Sequence, residues 1–217
     1  MPGRMTAAAA LPDHFPSVAH DVIAYCGDGS GRVWVDLGSG AGGLGFALLD
    51  RLRDATLVLV DPNADTAGQA LAAARRRGVA ARVVVVIAPA EAIPLAEGSV
   101  DVVVSRGSFY FWSDRAQGLR EVWRILRPGG RAMIGGGLGS AYPAWARREF
   151  IRRRRASARS PDEVRAFAEA RSPETFGRLA DEAGLAACEV LGEGGLSADD
   201  PNAGLGIWLR FAKTEVG

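Results

Sequence analysis

The chain has 217 residues, 48% hydrophobic and 24% charged, a composition that argues for one globular domain with a sizeable core. Its 26 basic and 25 acidic side chains leave a net charge of +1, which argues against a general nucleic-acid coat. Two distant cysteines, Cys26 and Cys188, and only two histidines do not assemble a Cys/His zinc site and read as free thiols in a reducing compartment.

Taken in order, the start, MPGRMTAAAALPDHFPS, reads as a loose tail with a short alanine tract and no long apolar signal region. Asp13–Cys26 then reads as a helix packed ahead of the first strand. No apolar run approaches the roughly 20 residues needed to span a bilayer, so a soluble cytoplasmic protein is expected. Residues 1–29 are expected as tail and capping helix, and 30–217 as the main domain. Five apolar runs of strand length follow: Arg32–Leu37, Ala55–Val60, Arg82–Ile87, Val100–Ser105 and Arg131–Gly135. Continuous Val/Ile/Leu without alternation is the pattern of strands buried on both faces. Gly43–Arg53, Asn63–Arg77 and Asp114–Leu126 lie between them as helices, with Asp65 and Asp114 as expected N-caps and Gly78 as a stop. Strand and helix in alternation predict an α/β fold with helices on both faces of a parallel sheet.

Beyond the fifth strand the rhythm changes. Tyr142–Arg171 is a helical stretch dense in arginine, expected as an insertion at about 140–171, and Pro173–Ala183 is a further helix stopped by Gly184. Ala186–Leu191 and Leu205–Ala212 are strand-like, and the Gly/Asp-rich join between them is too short for a helical crossover. Those two are therefore antiparallel neighbours. The expectation is a Rossmann-like seven-stranded sheet, mostly parallel, with its last strand antiparallel.

The strongest constellation is Val35-Asp36-Leu37-Gly38-Ser39-Gly40-Ala41-Gly42-Gly43, a buried strand running into glycines and then a helix. Glycine lets the backbone turn sharply and approach a ligand, and the helix start offers unpaired amides. Asp61, 25 residues after Asp36, closes the second strand, where a carboxylate can accept hydrogen bonds from both ribose hydroxyls of a nucleoside. Gly38, Gly40 and Gly43 also satisfy the G-x-G-x-x-G dinucleotide pattern. Asp36 weighs against that ligand: at the strand end it repels a pyrophosphate and attracts an ammonium or sulfonium cation.

With these blocks in this order the chain resembles a class I S-adenosylmethionine-dependent methyltransferase of the small-molecule type 11 branch. VDLGSGAGG resembles its first motif, LVDPN the acidic end of strand two, APAEAIPLAEGSVDVVVS the stretch along the adenine, and LREVWRILRPGGRAMIG the helix, turn and fifth strand. SPETFGRLADEAGL resembles the helix before the final pair. The resemblance implies that Asp36 and the backbone of Gly38, Ser39 and Gly40 hold the methionine part of S-adenosylmethionine, and Asp61 the ribose. It implies that Pro62 and Asn63 line the adenine, Ala90 and Glu91 its other side, and that Ser105 and Arg106 face the methionine end and the acceptor. Where the family often has an acidic residue before the Ala-Glu pair this chain has Pro89, which leaves the adenine amino group to backbone atoms or Glu91.

The reaction implied is in-line displacement of an activated methyl, in which the protein aligns two partners and excludes water. A base is needed only for an acceptor that is protonated at working pH. The Asn/Asp-Pro-Pro-Tyr motif of exocyclic-amine methylation does not follow strand four. Ser105-Arg106-Gly107-Ser108-Phe109-Tyr110-Phe111-Trp112 stands there instead. Its rings either wall an acceptor or pack the next helix on the sheet, and the Tyr110 hydroxyl needs a partner. Tyr110, His14 and His20 are the catalytic candidates, and Tyr25 stands beside the histidines. The run from Arg147 to Arg155 either reads an anionic group on the acceptor or forms a solvated helix face. Since 25 of the 26 basic residues are arginine, arginine density alone signals little. A small-molecule acceptor is the first reading. A non-catalytic cofactor binder, an RNA or protein methyltransferase using the basic 147–155 segment, and a nicotinamide oxidoreductase are the alternatives. The oligomeric state is left open.

Overall fold

The computed structural model of the chain describes residues 10–28, 32–156, 160–192 and 206–214. The expected tail up to residue 9, the join at 193–205 and the side chains of Arg154 and Arg155 lie outside the described residues. Seven strands form one sheet in the order β3-β2-β1-β4-β5-β7-β6. The parallel strands are β1 (Val33–Leu37), β2 (Thr56–Asp61), β3 (Val83–Ile87), β4 (Val100–Arg106) and β5 (Leu126–Gly136). β7 (Ile207–Ala212) runs antiparallel to both β5 and β6 (Cys188–Gly192), as the short join requires.

Side-chain alternation along each strand sorts the core into two layers. Val35 and Leu37 of β1, Val58 and Val60 of β2, and Ile134 of β5 pack with α4 (Arg115–Ile125) and α7 (Pro173–Glu182). Trp34, Leu57, Leu59 and Met133 point the other way, against α1 (Phe15–Cys26), α2 (Gly43–Leu49) and α3 (Ala64–Arg76). Both faces of the central strands are therefore covered, which is why their sequences are apolar without alternation.

Strand order reverses between β1 and β4, and a crevice opens at the carboxyl ends of strands on either side of such a reversal. A third, smaller apolar cluster roofs that end. Leu138, Tyr142 and Ala146 pack with Leu11 and Phe150. The roof helices are α5 (Ala144–Ala156) and α6 (Pro161–Glu169), so the expected single stretch from 142 to 171 is two helices. A capping box starts the second, with the Ser160 hydroxyl taking the Glu163 amide and the Glu163 carboxylate taking the Ser160 amide. Polar ties fasten the roof to α1. The buried Asp21 carboxylate accepts from the Ser140 amide at 2.7 Å and from its hydroxyl, and the Tyr142 hydroxyl donates to Pro12 O at 3.0 Å.

Candidate functional site

After β1 the backbone enters the left-handed region at Gly38 (φ +71°) and again at Gly40 (φ +53°). The Gly38 and Ser39 amides donate to Val60 O at 2.7 and 3.0 Å, which lays the turn against the end of β2. Space decides the glycines differently. A Cβ on Gly38 would lie 2.1 Å from Ser108 Cβ, whereas a Cβ on Gly40 would meet nothing within 4 Å. Gly38 is therefore bare to admit the β4 loop, and Gly40 faces open space.

Asp61 sits where expected and does two jobs in the protein itself. Its Oδ2 accepts from the Gly40 amide at 2.8 Å, and its Oδ1 from the Asn63 amide and the Thr66 hydroxyl at 2.9 Å each. The carboxylate thus links the glycine turn to the start of α3. Asn63, rather than Asp65, caps that helix, because its Oδ1 takes the Asp65 and Thr66 amides. Pro62 and Asn63 are exposed at the rim.

Asp36 does not face the crevice. It is 2% exposed, on the α2 side of the sheet, and its Oδ2 accepts from the Gly45 amide at 2.8 Å. It anchors the start of α2, which corrects the expectation that its charge lies open beside the turn. Burial pushes its carboxyl up to about 7; the Gly45 amide opposes this, the Asp61 charge adds to it and Arg106 counters it. A folded-state value above the ordinary one means that the native protein holds the proton more tightly than the unfolded chain. Stability is then lost as pH rises from about 4 through about 7. Asp36→Asn keeps an acceptor for Gly45 and removes the titration. Between pH 5 and 8 the Asn variant is expected to gain about 2–3 kcal/mol relative to the parent in denaturant unfolding. A pH-independent difference would show that Asp36 does not titrate there.

Two further expectations are corrected by packing. Glu91 turns to the start of α4, where its Oε1 accepts from the Ser113 hydroxyl at 2.8 Å and the Asp114 amide at 3.0 Å. Ala90, beside it, is 6% exposed within the core layer. Ser105 is fully buried, its hydroxyl 2.6 Å from that of Ser108, so it supports the loop from inside. Ser108 was not singled out, yet it joins the two halves of the crevice. Its hydroxyl donates to Leu37 O at 2.9 Å and accepts from Trp112 Nε1 at 3.2 Å.

The next residues open onto a cavity of about 310 Å³, walled by His14, Arg106, Tyr110, Leu138, Phe150 and Arg171 over a glycine floor. Arg106 donates from Nε to Gly137 O at 3.1 Å, and the Arg171 guanidinium lies 3.6 Å above the centre of the Tyr110 ring. His14 precedes α1, and its Nε2 is buried with no hydrogen-bond partner. Burial first, then Arg106, lower this imidazole to about 4 against the opposing pull of Asp13. It is neutral at pH 7.

The other candidates fall elsewhere. His20 is exposed, 3.3 Å from Asp21, and lines a separate hollow with Arg51 and Tyr142. Tyr25 lies under the guanidiniums of Arg131 and Arg210, and burial first pushes its hydroxyl up to about 12. Phe111 is 84% exposed, neither wall nor packing, while Phe109 is fully buried against Trp112 and Phe176. In the arginine run, Glu149 binds Arg152 and Arg153 on the outside of α5. Among the described residues, the arginines that line the cavity are Arg106 and Arg171. Among the described residues no helix is long and apolar enough to cross a membrane, and no cluster of His, Cys, Asp and Glu could hold a metal.

Residues 35–134 match the family model described as a methyltransferase domain. An uncharacterized methyltransferase of Mycobacterium tuberculosis is 37% identical over 116 residues, which are 54% of this chain and 44% of that protein. The chloroplast 2-methyl-6-phytyl-1,4-hydroquinone methyltransferase of Spinacia oleracea is 31% identical over 146 residues, 64% of this chain and 39% of that one. The chain thus spans less than half the length of these curated relatives. Among solved structures, a Methanococcus maripaludis protein described as an S-adenosyl-L-methionine-dependent methyltransferase matches with a TM-score of 0.75 and 28% identity. That match covers 94% of this chain and 87% of that one. Geranyl diphosphate C-methyltransferase of Streptomyces coelicolor, solved with S-adenosyl-L-homocysteine, shares the fold at 16% identity and a TM-score of 0.63, over 92% and 75% of the two chains.

Proposed function

We propose that the chain, whose residues 35–134 match the methyltransferase-domain model, is a class I S-adenosylmethionine-dependent methyltransferase that transfers a methyl group to a small molecule seated in the cavity beside Tyr110. The observation that carries this reading is adjacency. Ser108 touches the Gly38 turn on one side, and its neighbours Gly107 and Tyr110 line the cavity on the other.

The residues present fit the cofactor. Open space stands over Gly40, and a partly exposed Asp61 carboxylate flanks it. When bound, S-adenosylmethionine supplies a methyl on a sulfonium that departs as a neutral thioether. The chain's own residues bind, orient and exclude water. In this reading Asp61 accepts from the ribose hydroxyls, the Gly38–Gly40 backbone follows the methionine part, and Pro62 and Asn63 border the adenine. Arg106, Tyr110 and His14 face the acceptor. Neutral His14 takes a hydrogen bond from the acceptor's hydroxyl or amine, and with so low a proton affinity it orients that group rather than deprotonating it. His20 is not part of the proposed site.

Glycine 40 provides the test. Valine there must hold a left-handed φ, which costs about 1–2 kcal/mol, and its side chain enters the open space. Gly40→Val is expected to keep the circular dichroism of the parent and to lose calorimetric uptake of S-adenosylhomocysteine. Wild-type protein should take up that ligand and pass labelled methyl to an acceptor drawn from small-molecule extracts. Tight uptake by the valine variant would move the ligand away from the turn. Uptake by the parent with no turnover on any fraction would favour a protein that binds without catalysis.

A further inference from the structure

The sheet ends on β3 without the features that keep edge strands apart. Among the described residues no strand lies beyond it, and Val83–Ile87 holds no charge and no proline. Val84 and Ile87 are 48% and 60% exposed. The direction of its backbone groups follows from one bond. The Ala88 amide donates to Asp61 O, so alternation turns the groups of Val84 and Val86 toward β2 and those of Val83, Val85 and Ile87 outward. The Val83 N–H is taken by Ala80 O. Among the described residues the outer edge therefore offers the N–H groups of Val85 and Ile87 and the C=O groups of Val83, Val85 and Ile87.

We propose that this edge pairs with the same edge of a second copy of the chain, antiparallel, about a two-fold axis through Val85. Each Val85 N–H then meets the Val85 C=O of the other copy, and each Ile87 N–H meets the other Val83 C=O, so every outward N–H is used. A slip of one residue would set outward groups against inward ones. On the face away from α3, Val84 stands opposite Val86 of the other copy as a non-hydrogen-bonded pair, the kind whose side chains come closest. What selects a second copy over any other strand is α3. It rests on both β2 and β3. Two copies of it would lie about two strand spacings apart, about 10 Å, which is a helix-packing distance. The two-fold axis sets them antiparallel, with Asp65 in the first turn of one beside Arg75 and Arg76 in the last turn of the other. Leu71, 37% exposed, and Gly68, where a Cβ would meet nothing within 4 Å, leave room for that approach. The pairing does not depend on what the cavity binds.

Sedimentation equilibrium of the full chain is expected to give twice the chain mass and no larger species, because pairing consumes the edge. Val84→Lys should weaken the association about a hundredfold, since it sets an ammonium group against Val86 of the other copy. It should keep the circular dichroism of the parent, because residue 84 is half-exposed in the single chain. Amide hydrogen exchange reads the register. In the parent the Val85 and Ile87 amides should be protected along with those of Val84 and Val86. In the lysine variant only residues 84 and 86 should stay protected, held by β2. A single-chain mass at millimolar concentration would overturn the proposal. So would a dimer that survives Val84→Lys, or Val85 and Ile87 amides that exchange freely in the parent.

Discussion

Gly38→Ala is expected to cost about 2–5 kcal/mol of folding stability and to abolish cofactor uptake. Two costs add at this position. An alanine must hold φ near +71°, worth about 1–2 kcal/mol. Its Cβ would also stand 2.1 Å from Ser108 Cβ and 2.2 Å from Ser108 Oγ, an overlap that forces the loops apart at a cost of about 1–3 kcal/mol or more. Ser108 cannot simply swing away, because its hydroxyl is held by Leu37 O, Ser105 and Trp112. The overlap can be isolated in a double-mutant cycle. Ser108→Gly removes the colliding atoms, and the double variant should be about 1–2 kcal/mol more stable than the sum of the singles predicts. Denaturant unfolding of the four proteins measures this. An alanine variant within 1 kcal/mol of the parent, or strict additivity, would mean that the loops after β1 and β4 do not meet at this point.

The sheet was legible because its cause is local. Runs such as Thr56–Asp61 and Val100–Arg106 hold four and three consecutive apolar residues between polar breaks, as a strand covered on both faces allows. The glycine turn was legible for a related reason, since a left-handed backbone leaves a compositional mark. Direction was not legible. Asp36 stands near the end of β1, just before the turn, but strand alternation puts it on the same side as Trp34, against α2, and sequence position alone does not say which side a carboxylate faces. Glu91 and Ser105 have partners, at the α4 start and at Ser108, that only the folded loops bring near.

The cavity wall was the least legible part. Arg171 stands between two helices with no pattern around it, and it reaches Tyr110, 61 positions earlier in the chain, only through the packing of the roof. In the neighbouring arginine run, Arg152 and Arg153 close on Glu149, while Arg147 donates to Gly139 O at 2.6 Å. One signal did stand in the sequence unread. Ser160-Pro161-Asp162-Glu163 is a capping box with proline in the first turn, and it divides the stretch from 142 to 171 into two helices.

Asp61→Ala is expected to weaken S-adenosylhomocysteine binding by a hundredfold or more. Two charge-assisted hydrogen bonds from a ribose, at about 1.5–3 kcal/mol each, account for that loss. The structure adds a competing cause, because the same carboxylate holds the Gly40 amide and the Asn63 amide in place. A weakened complex alone therefore would not separate direct contact from a slackened turn. Fragments separate them. Adenosine carries the ribose and methionine does not, so direct contact predicts that calorimetric affinity falls for adenosine and holds for methionine. A slackened turn predicts that both fall, since the methionine part follows the Gly38–Gly40 backbone. Thr66→Val supplies the control. It removes one bond to Oδ1 and leaves the carboxylate in place, so its effect on either fragment should be small. Equal losses for the two fragments would make Asp61 a support of the turn, and unchanged affinity for all three ligands would remove it from the site.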